Sequence, residues 1–270
     1  MGNNKRAGFT IIETMLFLGI SSLLIVLLIA GTGASINVQR YQDAAESFKS
    51  LLQQQYADIS SVQNSRDNSW SCDNTATISN SSATKDNRGQ SKCMLLGKYM
   101  RLEDDKISIY NVVAYQKTIN SGSTNDIDSL KSNYILSVAK DNIDSSTMEW
   151  GTEISYPKTS AGAPYGKPQN PRKMAILFIR SPDSGQVYTF SSSDSSVPDV
   201  GSISSASLVA MLVAGDSIPG QGSRLICINS GGMFATDDRS IRLVQFAASS
   251  GAVVLQTNEM EKATGSDLQC

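Results

Sequence analysis

No histidine occurs among the 270 residues. That absence removes Ser-His-Asp and Cys-His nucleophilic arrangements, and any metal-binding helix of the H-E-x-x-H kind. The four cysteines, Cys72, Cys93, Cys227 and Cys270, contain no C-x-x-C pair. An all-thiolate zinc site would therefore need all four of them from scattered loops. Charge is sparse too: 23 basic residues stand against 25 acidic ones, a net −2. Nucleic-acid binding rests on clustered Lys and Arg, so such a partner is not expected. The densest basic stretch, Lys167, Arg172, Lys173 and Arg180, reads as a solvated face rather than a DNA-capture patch. Proline is missing from everything before Pro157.

Other fragments of chemistry are equally thin. Ser82-Ala83-Thr84-Lys85 matches S-x-x-K but sits in a Ser/Asn-rich loop, without an S-D-N or K-T-G partner. Asp104-Asp105 and Asp237-Asp238 fall at expected turns, where Asp serves the backbone. "PGQG" lacks the Walker pattern. "SPDSGQ" and "KDNRGQ" offer oxygens to Ca²⁺, yet neither is an EF-hand loop, and turn formation is the simpler role. No enzyme activity, cofactor or metal is expected.

What the chain does have is one long apolar run. Met15 to Ala30 reads MLFLGISSLLIVLLIA, and the 22 residues from Phe9 to Ala30 hold Glu13 as their only charge. A helix of that length covers roughly 33 Å, close to the hydrocarbon thickness of a bilayer. An ionised carboxylate inside such a segment costs about 2.5 to 3.5 kcal/mol near its centre, so Glu13 needs a function. Lys5 and Arg6 precede the segment and the next basic residue is Arg40. The positive-inside tendency then keeps the N-terminus cytoplasmic and sends the bulk of the chain outward. A secretory signal peptide shares the basic start and apolar core. Its core would begin with an acid, however, and "AGTGAS" is the best weak cleavage site after it. A signal anchor carrying a chance Glu is the other plain reading.

Gly8-Phe9-Thr10-Ile11-Ile12-Glu13, after a short basic leader and before an uninterrupted apolar helix, resembles the processing motif of type IV prepilins and pseudopilins. The resemblance covers roughly residues 1 to 62. It implies a leader of residues 1–8, cleavage by a dedicated peptidase between Gly8 and Phe9, N-methylation of Phe9, and an assembly role for Glu13. The partners it implies are other pilin subunits, the prepilin peptidase/methyltransferase and the membrane platform of the assembly machine. The place it implies is the cytoplasmic membrane before assembly and a pilus on the cell surface afterwards. Physical reasoning supports such a role independently. Cleavage would create a cationic amine one helical turn from Glu13. In a bundle of these helices the amine of one subunit meets the carboxylate of another, and each offsets a charge that lipid penalises.

Residues 9–33 form the transmembrane and assembly half of the helix. Beyond it, Val38, Tyr41, Ala45, Phe48, Leu52, Tyr56, Ile59 and Val62 recur at spacings of three and four, with polar residues between them. This predicts an amphipathic half over 34–62 whose stripe seats on a globular domain. Gly31 and Gly33, each costing about 1 kcal/mol in a helix interior, mark a hinge or locally unwound turn between the halves.

Residues 63–270 are expected to form an exported β-rich domain. "MAILFIR" and "QVYTF" flank the turn Ser181-Pro182-Asp183-Ser184-Gly185 as a hairpin. "RLICINS", "GGMFATD", "SIRLVQFAAS" and "GAVVLQT" read as an antiparallel meander, and "CMLLGKYMRL" and "KISIYNVVAYQ" as two further strands. "VAMLVA" from Val209 to Ala214 fits a short helix or a strand. Residues 63–95 and 118–172 read as exposed loops. The expected fold class is α+β: a long N-terminal helix packed on an antiparallel sheet domain, which is also the pilin plan.

Outside the membrane the cysteines suit disulfides. Three connectivities are open, and Cys72 with Cys93 and Cys227 with Cys270 are preferred. The first pair staples a polar loop and the second ties down the C-terminal section, a closure that also resembles pilins. Function then stands between classes. One is a minor or specialised subunit of a type IV pilus serving adhesion, motility, DNA uptake or secretion. Another is a pseudopilin of a type II secretion filament. The third is a non-polymerising membrane-anchored adhesin or binding protein whose surface ligand is unknown.

Overall fold

The computed structural model describes residues 10–61, 70–80, 91–117, 123, 125–159, 161–163, 172–193, 197–199, 202–212, 223–232, 238–244, 249–263 and 268–270. A single helix, α1 (Ile11–Ser60), leads. The elements that follow are β1 (Trp70–Cys72), β2 (Ile78–Asn80), β3 (Cys93–Glu103), β4 (Lys106–Gln116), α2 (Asp126–Asn133), β5 (Tyr134–Thr147), β6 (Glu153–Ser155), β7 (Lys158–Thr159), β8 (Lys173–Arg180), β9 (Val187–Ser193), α3 (Ser205–Met211), β10 (Ser223–Asn229), β11 (Arg239–Val244), β12 (Val253–Thr257), α4 (Asn258–Ala263) and β13 (Leu268–Gln269). All strand pairs are antiparallel. The chain is therefore a long N-terminal helix with an antiparallel sheet domain.

Two sheets dominate: a five-stranded one in the order β5-β4-β3-β8-β9 and a four-stranded one in the order β12-β11-β10-β6. The outer half of α1 lies in the core shared by both. Its stripe of Tyr41, Ala45, Phe48, Leu52, Tyr56 and Ile59 packs against Met100, Ile176 and Phe178 of the first sheet and Ile226, Ile228 and Ile241 of the second. The other face of the five-stranded sheet carries a second core, in which Tyr99, Tyr110, Leu177 and Phe190 meet Leu130 of α2 and Leu208 and Met211 of α3. Strand β8 shows why its sequence is almost wholly apolar. Met174, Ile176 and Phe178 serve the first core, while Ala175, Leu177 and Ile179 serve the second.

The hairpin β8–β9 turns at residues 181–186, where the Ser181 amide donates to the Gln186 carbonyl. Strand β3 bulges between Leu95 and Gly97, and a Cβ at Gly97 would stand 2.0 Å from the Phe178 carbonyl oxygen on β8. Only glycine permits that approach.

Several expectations change. Residues 118–172 are not mainly loop, because β5 runs 14 residues along the edge of the larger sheet and α2 precedes it. The expected strand "GGMFATD" falls mostly outside the described residues. Strand β10 pairs directly with β11 on one side and β6 on the other, Gly231 and Gly232 turn with positive φ, and 233–237 lie outside the described residues. "VAMLVA" resolves as the end of helix α3 up to Met211, started by a capping box between Ser204 and Ser207. Leu212 caps that helix, and Val213 and Ala214 are outside the described set.

The disulfides are Cys72–Cys93 and Cys227–Cys270. The second closes a small cluster of Leu225, Cys227 and Leu268 on the far face of the four-stranded sheet. Buried Glu261 on α4 braces it, taking hydrogen bonds from the Ser240 hydroxyl and, at 3.3 Å, the Cys270 amide. Burial pushes the Glu261 carboxyl above its ordinary range, the two bonds pulling it partly back.

Candidate membrane and assembly segment

Thr10 caps α1. Its backbone is extended and its Oγ1 accepts from the Glu13 amide at 3.3 Å, so the threonine that precedes the apolar run also starts the helix. Glu13 follows in the first turn, where a carboxylate complements the helix dipole. From there the side chains touch nothing in the domain. Ile11, Ile12, Met15, Leu16, Phe17, Leu18, Ile20 and Leu23 to Ile29 are all exposed. No side of this stretch is polar, the pattern of a helix surrounded by apolar material rather than lying on a surface.

Three of the hydroxyls in this stretch bond back to helix carbonyls. Thr14 donates to the Ile11 carbonyl at 2.9 Å, Ser22 to Leu18 at 2.6 Å and Thr32 to Leu28 at 3.0 Å. A polar group so paired is cheap to bury in lipid. Among the described helices, α1 is long and apolar enough to cross a membrane.

The helix is continuous through Gly31-Thr32-Gly33, so the locally unwound turn expected there is absent. Two glycine penalties of about 1 kcal/mol each are outweighed by the cooperativity of a helix that is anchored in the domain. The Thr32 hydroxyl, between the two glycines, bonds back to the Leu28 and Ile29 carbonyls. A Cβ at Gly19, Gly31 or Gly33 would meet nothing within 4 Å.

Of the residues singled out for processing, Gly8 and Phe9 lie outside the described residues. The S-x-x-K run, "KDNRGQ", "PGQG", Lys167 and Asp237 lie outside them too. The remaining candidates serve the fold. Asp104 turns β3 into β4 with φ 51°, and its carboxylate accepts from the Arg172 amide. In the β8–β9 turn Asp183 accepts from the hydroxyls of Ser129 and Tyr134, binding the turn to α2 and β5. Arg172 pairs with Glu153 at 2.6 Å, Lys173 with Asp199 at 2.8 Å, and Arg180 donates to the Gly185 carbonyl. Among the described residues no group of three or more acidic or cysteine side chains is placed to hold a metal ion.

Two features at the seat of the helix escape a sequence reading. Tyr41 is visible as one member of the apolar stripe, but its hydroxyl also donates to the Ile228 carbonyl and accepts from the Arg239 amide, both at 2.7 Å. Arg40 stacks over the Trp150 ring, 4.8 Å from its centroid, across a sequence distance that no local pattern signals. No family model, no curated protein and no solved structure matches this chain.

Proposed function

We propose that the chain is a type IV pilin-like structural subunit, minor or specialised, that enters the cytoplasmic membrane through the first half of α1. It is cleaved after Gly8, N-methylated at Phe9 and built into a surface filament through the same helix. The observation that carries this reading is the division of α1. Its outer half is buried in the domain's core, whereas the inner half exposes apolar side chains all round with Glu13 as the only charge. One such helix is suited first to lipid and then to a bundle of copies of itself, because both surroundings bury an all-round apolar surface. In the bundle, Glu13 needs a cationic partner, and the amine freed at Phe9 supplies one at the same depth. A pair of this kind fixes axial register more than it adds net stability, since either charge alone among apolar helices is strongly unfavourable.

Intact mass and N-terminal sequencing of the protein recovered from sheared surface filaments test the reading. A chain starting at N-methyl-Phe9 with the mass deficit of two disulfides is the expected result. A chain starting at Met1, or near Ala34 and found in the medium, would replace the filament subunit with a tethered or secreted binding protein. Its abundance in the filament separates a minor subunit from a major one.

A further inference from the structure

Glu13 and Arg40 bracket a helix free of charge: positions 14 to 39 hold 26 uncharged residues. The 27 steps from one to the other span roughly 40 Å at about 1.5 Å each, which matches a bilayer counted with both headgroup layers, about 40–45 Å. In a subunit not yet assembled Glu13 has no partner amine from a neighbour, so its carboxylate costs least in the inner headgroup layer. Arg40 then stands in the outer one. Helical side chains lean toward the N-terminus, which tips Arg40 toward the lipid.

At that level the domain presents Trp150. The ring lies under the Arg40 guanidinium and the residue is 53% exposed. Its backbone is left-handed, φ 58° and ψ 23°, a conformation that a bulky residue keeps only where its surroundings impose it. They do so from three sides. The Ser47 hydroxyl on α1 donates to Glu149 Oε1 at 2.9 Å, the Thr152 amide and hydroxyl both donate to the Glu149 carbonyl, and Gly231 packs onto Gly151. A Cβ on Gly231 would come within 2.0 Å of the Gly151 carbonyl oxygen. The turn is held firmly, and what it holds out is an indole.

We propose that Trp150 and Arg40 form a phospholipid contact that seats the globular domain on the outer leaflet before assembly. The indole takes the headgroup level, where an amphipathic ring is most stable, and the guanidinium donates to a lipid phosphate. The inference rests on the membrane insertion of α1 that the filament reading also requires. It gives the domain a fixed orientation over the membrane, with its C-terminal disulfide cluster held by the same sheet that buries Tyr41.

The test uses the full chain carrying Trp70→Phe, so that Trp150 is the sole tryptophan, reconstituted in phosphatidylcholine/phosphatidylglycerol vesicles. Fluorescence is quenched with spin labels on the headgroup or at the acyl-chain end, and with aqueous acrylamide. Headgroup-labelled lipid should quench at least about twofold more than chain-end label, and Arg40→Gln should weaken that quenching. The reciprocal Trp150→Phe chain, reporting through Trp70, should lose the headgroup-specific quenching. An inserted protein whose Trp150 ignores both lipid labels and stays open to acrylamide overturns the contact. So does shielding that grows with protein-to-lipid ratio and not with label position, the sign of a contact between copies. Loss of the chain from vesicles in alkaline carbonate would overturn the filament reading as well, which separates the two failures.

Discussion

Replacing Tyr41 by Phe removes one oxygen and keeps the ring. That oxygen joins the Ile228 carbonyl to the Arg239 amide, which are register partners at the end of the β10–β11 ladder. Tyr41 and Ile228 are both buried, so Tyr41→Phe leaves two peptide groups short of a partner while apolar packing is unchanged. An orphaned buried group costs about 1–3 kcal/mol, and the pair about 2–4 kcal/mol after partial relaxation. Against a total stability of about 5–15 kcal/mol this is a large fraction. Guanidinium unfolding of the full chain in detergent micelles, followed by near-ultraviolet circular dichroism, should show a clearly lowered midpoint. Amide exchange at Arg239 should rise with it. An unchanged midpoint with unchanged protection at Arg239 would refute the bridging role.

Alkali applies the same perturbation without mutagenesis. Burial pushes the Tyr41 hydroxyl from 10.0 up to about 12, opposed by the bond from the Arg239 amide. Burial likewise raises Tyr56 and Tyr99 to about 12. A group whose pKa is higher folded than unfolded contributes stability that is intact below pH 10 and lost as pH rises from 10 to 12. Each such shift corresponds to a few kcal/mol, so the three together are a large fraction of the total stability. Tyrosinate absorbance from these three should therefore appear in the same step as the loss of tertiary circular dichroism. Titration of all nine tyrosines near pH 10 with the fold intact would contradict this account.

Gly97→Ala drives a Cβ into the Phe178 carbonyl and, at 2.9 Å, the Ile179 Cα; backbone in a central strand pair cannot retreat, so a loss of about 3 kcal/mol or more is expected. A thermal melt within about 2 °C of the parent would count against it. The double change Cys227→Ser with Cys270→Ser opens a loop of sequence separation 43, and loop entropy puts the loss near 4 kcal/mol. Denaturant unfolding that shows less than about 1 kcal/mol would place the stabilisation elsewhere. Glu13→Ala should leave carbonate-resistant membrane association intact and abolish incorporation into filaments; filaments carrying the variant at parental levels would remove Glu13 from assembly.

The legible parts of the fold are those whose local signal and tertiary role coincide. The β8–β9 hairpin carried its own turn chemistry, and the stripe from Tyr41 to Ile59 kept helical period because one face alone is buried. Strand β5 was hidden for the opposite reason. It lies at a sheet edge, its pairing with β4 slips between Val138 and Ile143, and residues 143–147 are exposed, so neither an apolar run nor strict alternation survives. In α3 the apolar run fits either element, and the deciding signal was the pair Ser204 and Ser207 ahead of it. The apolar span with Glu13 could be read outright, since an unpartnered surface is written in composition. The seat of the helix could not, because Trp150 and Arg239 reach α1 through long-range topology.

The way α1 enters the domain also sets how the molecule responds to tension. From Tyr41 to Ile59 the helix is seated along roughly 27 Å, with a hydroxyl clasp near each end: Tyr41 to β10 and β11, and Tyr56 to Thr189 on β9. A pull along the helix axis strains these contacts in parallel, as shear, and spreads into both sheets at once. Such a joint resists up to the sum of its contacts and then fails abruptly, whereas a sideways pull would peel it one turn at a time.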